Sequence, residues 1–167
     1  MSELHLPNRI RHSASTRPSD PAITCGDRTL TWAELDGETS TLASALAEVT
    51  TTGARVGALL RMGLEGAETF IACAKAGAVF IPLNWRLNPL ELVDIAEDAE
   101  LDVLIVDDEF AAGAAAMSAA LPDIEVITVG AAGGLPDSRT WAEFVASGTG
   151  VDPGHGHDPD AAVLQLY

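Results

Sequence analysis

The stretch AKAGAVFIPLNWRLNPLEL, Ala74 to Leu92, carries the end of one helix, a strand and the start of another helix with little connecting chain between them. Leu64 to Ala76 reads as a helix, and Ala78 to Leu83 as a strand apolar on both faces. Asn88-Pro89-Leu90-Glu91 then starts the next helix, with a capping asparagine, proline at the first helical position and an acid in the first turn. A strand without a polar face, set between helices, is the unit of a parallel sheet covered on both sides.

Working outward, the same alternation continues. Before this stretch, Leu4 to Thr16 predicts a short amphipathic helix. AITCGDRTLTW then predicts a small hairpin around Gly26-Asp27. Thr31-Trp32-Ala33-Glu34 has capping-box spacing and opens a long helix whose apolar stripe is Leu35, Leu42, Ala45 and Leu46, ending between Thr50 and Gly53; a strand follows over Arg55–Leu60. On the other side, Asp102–Val106 is a strand, Phe110–Leu121 an alanine-rich helix and Ile124–Val129 a strand. Gly130–Pro136 reads as loop, and Thr140-Trp141-Ala142-Glu143 repeats the helix-start pattern. The terminal AAVLQLY, Ala161 to Tyr167, reads as a buried strand after the turn signal Asp158-Pro159-Asp160. The expected fold is α/β: a doubly wound, mostly parallel sheet with helices on both faces. In such folds ligands sit beyond the carboxyl ends of the strands.

Composition narrows the function classes. At 167 residues the chain suffices for one domain with a real core, and its formal charge of -16 repels nucleic-acid backbones and anionic lipid surfaces. The only lysine is Lys75, and the arginines form no stripe. Cys25 and Cys73 lie far apart and signal neither a zinc site nor a disulfide scaffold. The N-terminus lacks the apolar stretch of a signal peptide, and no run reaches the ~18 apolar residues of a membrane span. The expectation is a cytoplasmic protein with no transmembrane segment and no nucleic-acid partner.

Several candidate sites dissolve on inspection. Asp107-Asp108 at a strand end has the form of a Mg2+-holding pair in receiver domains. Such a domain needs a later lysine, which the chain lacks, so these acids read as solvated caps of the next helix. Gly154-His155-Gly156-His157-Asp158 offers imidazoles beside carboxylates, but the flanking glycines argue for a linker. No metal site is expected, and no Ser-His-Asp set or nucleophile elbow is present. Lys75, near a helix end, is assigned to complementing the helix dipole. Trp32, Trp85 and Trp141 are assigned to packing.

The order of segments resembles the N-terminal part of the adenylate-forming (AMP-dependent synthetase/ligase) superfamily, which contains acyl-CoA synthetases, peptide-synthetase adenylation domains and luciferases. RTLTWAELD, Arg28 to Asp36, is similar to that family's early L-T-Y-x-E-L motif, with Trp32 in place of the commoner tyrosine. Ala74 to Leu92 closely matches its second motif and the segment after it. DPDAAVLQLY, Asp158 to Tyr167, resembles the lead-in to its phosphate-binding loop. The PLNWRL wording favours bacterial fatty-acid or related acid CoA ligases. Ala54 and Gly63 depart from the usual aspartate and asparagine.

The resemblance implies an enzyme that uses ATP and Mg2+ to convert a carboxylic acid into an acyl-adenylate, then passes the acyl group to CoA. It also implies that residues 1–167 form an N-terminal subdomain that stops just before the phosphate-binding loop, with Tyr167 leading into it. The expectation is that this piece alone is inactive, binds none of these cofactors tightly and holds no catalytic residue. Arg86, at the carboxyl end of a strand, matches an arginine that reaches the CoA nucleotide phosphates in some CoA ligases; the other reading is a salt bridge to Glu91 or Asp94. Two further readings stay open: a short interaction module that self-associates through uncovered sheet surface, and an unrelated small α/β domain.

Overall fold

A computed structural model of the protein describes residues 5–61, 63–130, 138–154 and 161–167. Helix α1 (Leu6–Thr16) precedes an antiparallel hairpin, β1 (Pro21–Cys25) and β2 (Arg28–Thr31), turned at Gly26-Asp27 as the sequence indicates. Then follow α2 (Trp32–Val49), β3 (Arg55–Leu59), α3 (Leu64–Ala76), β4 (Val79–Pro82), α4 (Pro89–Ala99) and β5 (Val103–Asp107). A single 3-10 turn, Asp108–Phe110, leads into α5 (Ala111–Ala120), β6 (Glu125–Val129), β7 (Arg139–Thr140) and α6 (Trp141–Ser147).

The helix starts obey local chemistry. Thr31, Asn88 and Thr140 each accept a backbone N–H from the residue three on, and Glu34, Glu91 and Glu143 reach back to the cap N–H. Each reciprocal pair satisfies donors that a helix end otherwise leaves orphaned. Helix α3 ends at Gly77, which adopts φ 72, the left-handed conformation that releases the chain into β4.

The sheet is parallel throughout, in the order β4-β3-β5-β6-β7. From β3 the chain moves outward to β4, returns past β3 to β5 and continues to the opposite edge. The reversal of strand order therefore falls between β3 and β5. Alternate residues feed two cores. Val56, Val103, Ile105 and Ile127 pack with α2, α3 and α6 on one face, and Leu104, Val106 and Val126 pack with α4 and α5 on the other. The two helix layers make the doubly wound arrangement expected from the sequence, with β3 and β5 as its apolar centre. A third cluster, Ile10, Leu30, Leu35, Leu64 and Ile71, seats the hairpin and α1 against α2 and α3.

Three expectations need correction. Residues 161–167 are not a buried strand: Leu164 makes one parallel bridge to Phe80, through Phe80 N–H to Val163 O and Gln165 N–H to Phe80 O, both 3.1 Å. Val163, Leu164 and Leu166 remain exposed. The apolar alternation foretold pairing and could not foretell a cover.

Lys75 does lie in the last turn of α3, where a cation complements the helix dipole, but that role alone does not describe it. It is fully buried, and its Nζ donates to Asp36 Oδ1 (2.6 Å), Asp36 O (2.9 Å) and Ser40 Oγ (2.9 Å) on α2. Asp152 lies 3.6 Å away and is itself gripped by the Arg11 fork at 2.6 and 2.7 Å. Burial opposes ionisation of Asp152, but Arg11, the Gly154 N–H and Lys75 outweigh it and hold its pKa below the ordinary range.

The Asp107 side chain makes no cap bond to the following turn. It accepts the Arg61 backbone N–H at 2.6 Å, as Asp102 accepts that of Arg55 at 2.7 Å, so acids at both ends of β5 fasten the ends of β3. The expected loop at 130–136 and the His155/His157 stretch lie almost wholly outside the described residues. No described helix is long and apolar enough to cross a membrane.

Candidate functional site

The residues that follow β3, β4 and β5 meet at the carboxyl edge of the sheet, over the point where strand order reverses. Trp85, after β4, stacks on Phe110, after β5, with ring centroids 6.1 Å apart and planes 18° from parallel. Arg61, after β3, places its guanidinium 4.3 Å from the Trp85 ring and 5.6 Å from the Phe110 ring. Arg86 lies over the same indole at 4.1 Å.

The loop carrying Trp85 and Arg86 is held between two asparagines. Asn84 Oδ1 accepts the Arg86 N–H at 3.1 Å and Asn84 O accepts the Leu87 N–H at 3.0 Å, while Asn88 caps α4. Glu91 is committed to that cap, and among the described residues no carboxylate reaches Arg86 within ion-pair distance, 4.0 Å. The salt-bridge reading of Arg86 is therefore replaced by a cation resting on an aromatic face.

Acids surround Arg61 instead. Its Nε and Nη2 donate to Glu109 Oε1 and Oε2 at 2.7 and 2.8 Å, a two-point fork that holds the Glu109 pKa below its usual range. Burial raises the Asp107 pKa against the opposing Arg61 N–H, and Glu109, Glu65 and Asp108 push the same way as burial. Gly130, after β6, has φ 118, a backbone conformation that other residues rarely adopt, and its Cα faces the Asp108 carboxylate. Among the described residues no group of three His, Cys, Asp or Glu side chains is arranged to hold a metal ion.

The two site residues named from sequence are not brought together. Tyr167 is 54% exposed, donates its hydroxyl to Asp98 Oδ2 of α4 at 2.6 Å and accepts from Gln165 Nε2 at 2.6 Å; it makes no hydrogen bond to Arg86. That bond to Asp98 raises the Tyr167 pKa. Arg61 and Phe110 belong to this cluster although the sequence reading names neither as a site residue. The available signal was position, since each follows a strand's carboxyl end within three residues. Trp85 does pack on the core, as Trp32 and Trp141 do, but it also carries both cations.

Residues 10–165 match the family model described as AMP-binding enzyme. The chain belongs to the AMP-binding enzyme family. Within that family, it is 36% identical over 92% of its length to the fatty acid–acyl-carrier-protein ligase ScoC of Streptomyces coeruleorubidus, of which it spans 28%. It is 34% identical over 74% of its length to an indoleacetate–CoA ligase of Aromatoleum aromaticum, spanning 24% of that enzyme. The apo structure of MbtA from Mycobacterium smegmatis superposes with a TM-score of 0.86 at 28% identity, covering 98% of this chain and 31% of that one. The chain thus spans about a third or less of the length of these AMP-binding relatives.

Proposed function

We propose that these residues form the N-terminal subdomain of a ligase that joins a small carboxylic acid to CoA through an acyl-adenylate, using ATP and Mg2+. The family match over residues 10–165 carries this reading. A carboxylate oxygen is a poor leaving group; adenylation, which ATP supplies when bound, makes it a good one. The phosphoryl charge of that step requires cations and N–H donors placed in advance. The chain's only lysine, Lys75, is buried against Asp36 and unavailable for it. In this reading residues 1–167 by themselves complete no turnover, and Tyr167 leads toward the phosphate-binding loop. A cytoplasmic setting suits the two free thiols, Cys25 and Cys73.

Arg86 is the residue assigned to ligand. An exposed guanidinium with no carboxylate partner among the described residues, held on an indole in a chain of net charge -16, suits the nucleotide phosphates of CoA. In the complete ligase, Arg86→Ala should raise the KM for CoA about tenfold, the size of a lost charge-assisted hydrogen bond. ATP–pyrophosphate exchange should stay unchanged. An unaltered KM would remove Arg86 from the acceptor site.

A carrier-protein acceptor is the second reading, favoured by the likeness to ScoC. Assaying the same enzyme with CoA and with a phosphopantetheinylated carrier protein separates the two. The exposed row Val163, Leu164 and Leu166 also favours self-association of this chain along the edge beside β4. Sedimentation at several concentrations tests that, and a monomer throughout would end it.

A further inference from the structure

Arg61 and Arg86 approach the same indole, at 4.3 and 4.1 Å, but with opposite charge balance. Arg61 is fixed at both ends. Its backbone N–H is tied to Asp107 at 2.6 Å and its guanidinium is forked to Glu109 at 2.7 and 2.8 Å. Its charge is thereby cancelled in place. What it adds to the cluster is a rigid plane against Trp85 and Phe110, with contacts to the strand ends on both sides of β3. Without Glu109, two like charges over one ring would repel. With it, Arg86 is the cation of this cluster that has no carboxylate partner among the described residues.

We propose that Arg61 is a positioning residue for Arg86: held by Glu109, it braces the Trp85–Phe110 stack, and the braced indole keeps the Arg86 guanidinium aimed at a phosphate-bearing ligand. This rests on the reading of Arg86 as a contact to the CoA nucleotide phosphates. An unbraced arginine must lose its rotamer freedom on binding, whereas one held against an aromatic face has lost part of it already. Arg61 acts through Trp85 and touches no ligand itself.

The test has a structural and a binding arm. In NMR spectra of this chain, the Arg86 δ-methylene and Nε–H resonances should be displaced by the Trp85 ring current, and Arg61→Ala should move them toward the values of a free arginine. In the complete ligase, Arg61→Ala should weaken CoA about three- to fivefold, the size of one exposed cation–ring contact. Arg86→Ala should weaken it about tenfold, and the double variant no more than Arg86→Ala alone. Arg61→Lys should behave like Arg61→Ala, because an ammonium cannot both fork to Glu109 and lie flat on the ring.

Unmoved Arg86 resonances in Arg61→Ala, a loss of CoA affinity that persists undiminished in the Arg86→Ala background, or recovery by Arg61→Lys would each overturn the proposal. If Arg86→Ala leaves CoA affinity unchanged, the reading of Arg86 fails instead. The resonance shifts would then still decide whether Arg61 positions Arg86.

Discussion

Lys75 Nζ lies 2.6 Å from Asp36 Oδ1 with the lysine fully buried and the aspartate side chain 28% exposed. The pair joins α3 to α2, and Asp152 with Arg11 extends it to α1 and to the segment after α6. Removing one partner of a buried pair leaves the other unpaired, at about 3–5 kcal/mol when both are sequestered. Because Asp36 keeps water access, Lys75→Met should cost about 2–3 kcal/mol. Urea unfolding measures it. A change below about 0.5 kcal/mol would mean that apolar packing of the stem, which methionine preserves, is all that lysine contributes.

Glu68 on α3 gives a pH dependence of known sign. Its side chain is 5% exposed, and Oε1 has no hydrogen-bond partner among the described residues. Burial, then the hydrogen bond and charge of Glu38, raise its pKa to about 7; Arg28 opposes this and Glu65 adds to it. A carboxyl with a raised folded pKa binds its proton more tightly when folded. Its contribution is full below its ordinary pKa of 4.5 and is lost as pH rises through about 7. Tm should therefore fall between pH 5 and 8, and Glu68→Gln should flatten that fall by a few degrees, about 1 kcal/mol or more at pH 8. Parallel Tm curves for the two proteins would show that Glu68 is ionised throughout.

Asn88 serves both helix and site. Its Oδ1 accepts the Leu90 and Glu91 N–H groups at 2.9 and 3.1 Å, directly after the loop that carries Trp85 and Arg86. Asn88→Ala should cost about 1 kcal/mol, and Asn88→Ser or Asn88→Asp much less. Chemical denaturation of the three variants compares them. Equal loss in all three would place the effect in the loop and not in the cap.

Legibility tracked the range of each interaction. Helix starts are local, and Thr31, Asn88 and Thr140 cap where the sequence says they should. The double-faced strands β3 and β5 announced a parallel sheet, since a strand without a polar face needs two covers. The partner of Lys75 lies 39 residues away, so a lysine in a last helical turn gave no sign of burial. The Arg61–Trp85–Phe110 cluster joins three strand ends and becomes visible only once the strand order is known. Strand β7 pairs through two residues, too few to leave an alternation to read.

Ligand binding by this chain itself follows from where its cations are. A triphosphate needs several donors converging on it. Lys75 is buried, and Arg11, Arg28, Arg61 and Arg139 are each paired to a carboxylate, while Arg9 on α1, Arg17 after it and Arg55 at the amino end of β3 lie away from the carboxyl edge of the sheet. Arg86 stands apart from those pairs at the carboxyl edge of the sheet, and one guanidinium supports weak binding only. Calorimetric titration of the folded chain, checked by circular dichroism, should give a Kd for CoA of about 0.1–1 mM, near the weak end of measurable affinities. That heat should vanish in Arg86→Ala, and Mg2+-ATP should bind no more tightly than CoA. A Kd for Mg2+-ATP below about 10 μM, roughly 7 kcal/mol of binding, would place nucleotide recognition in residues assigned here to the fold. CoA binding that survives Arg86→Ala would move the acceptor contact elsewhere on the sheet edge.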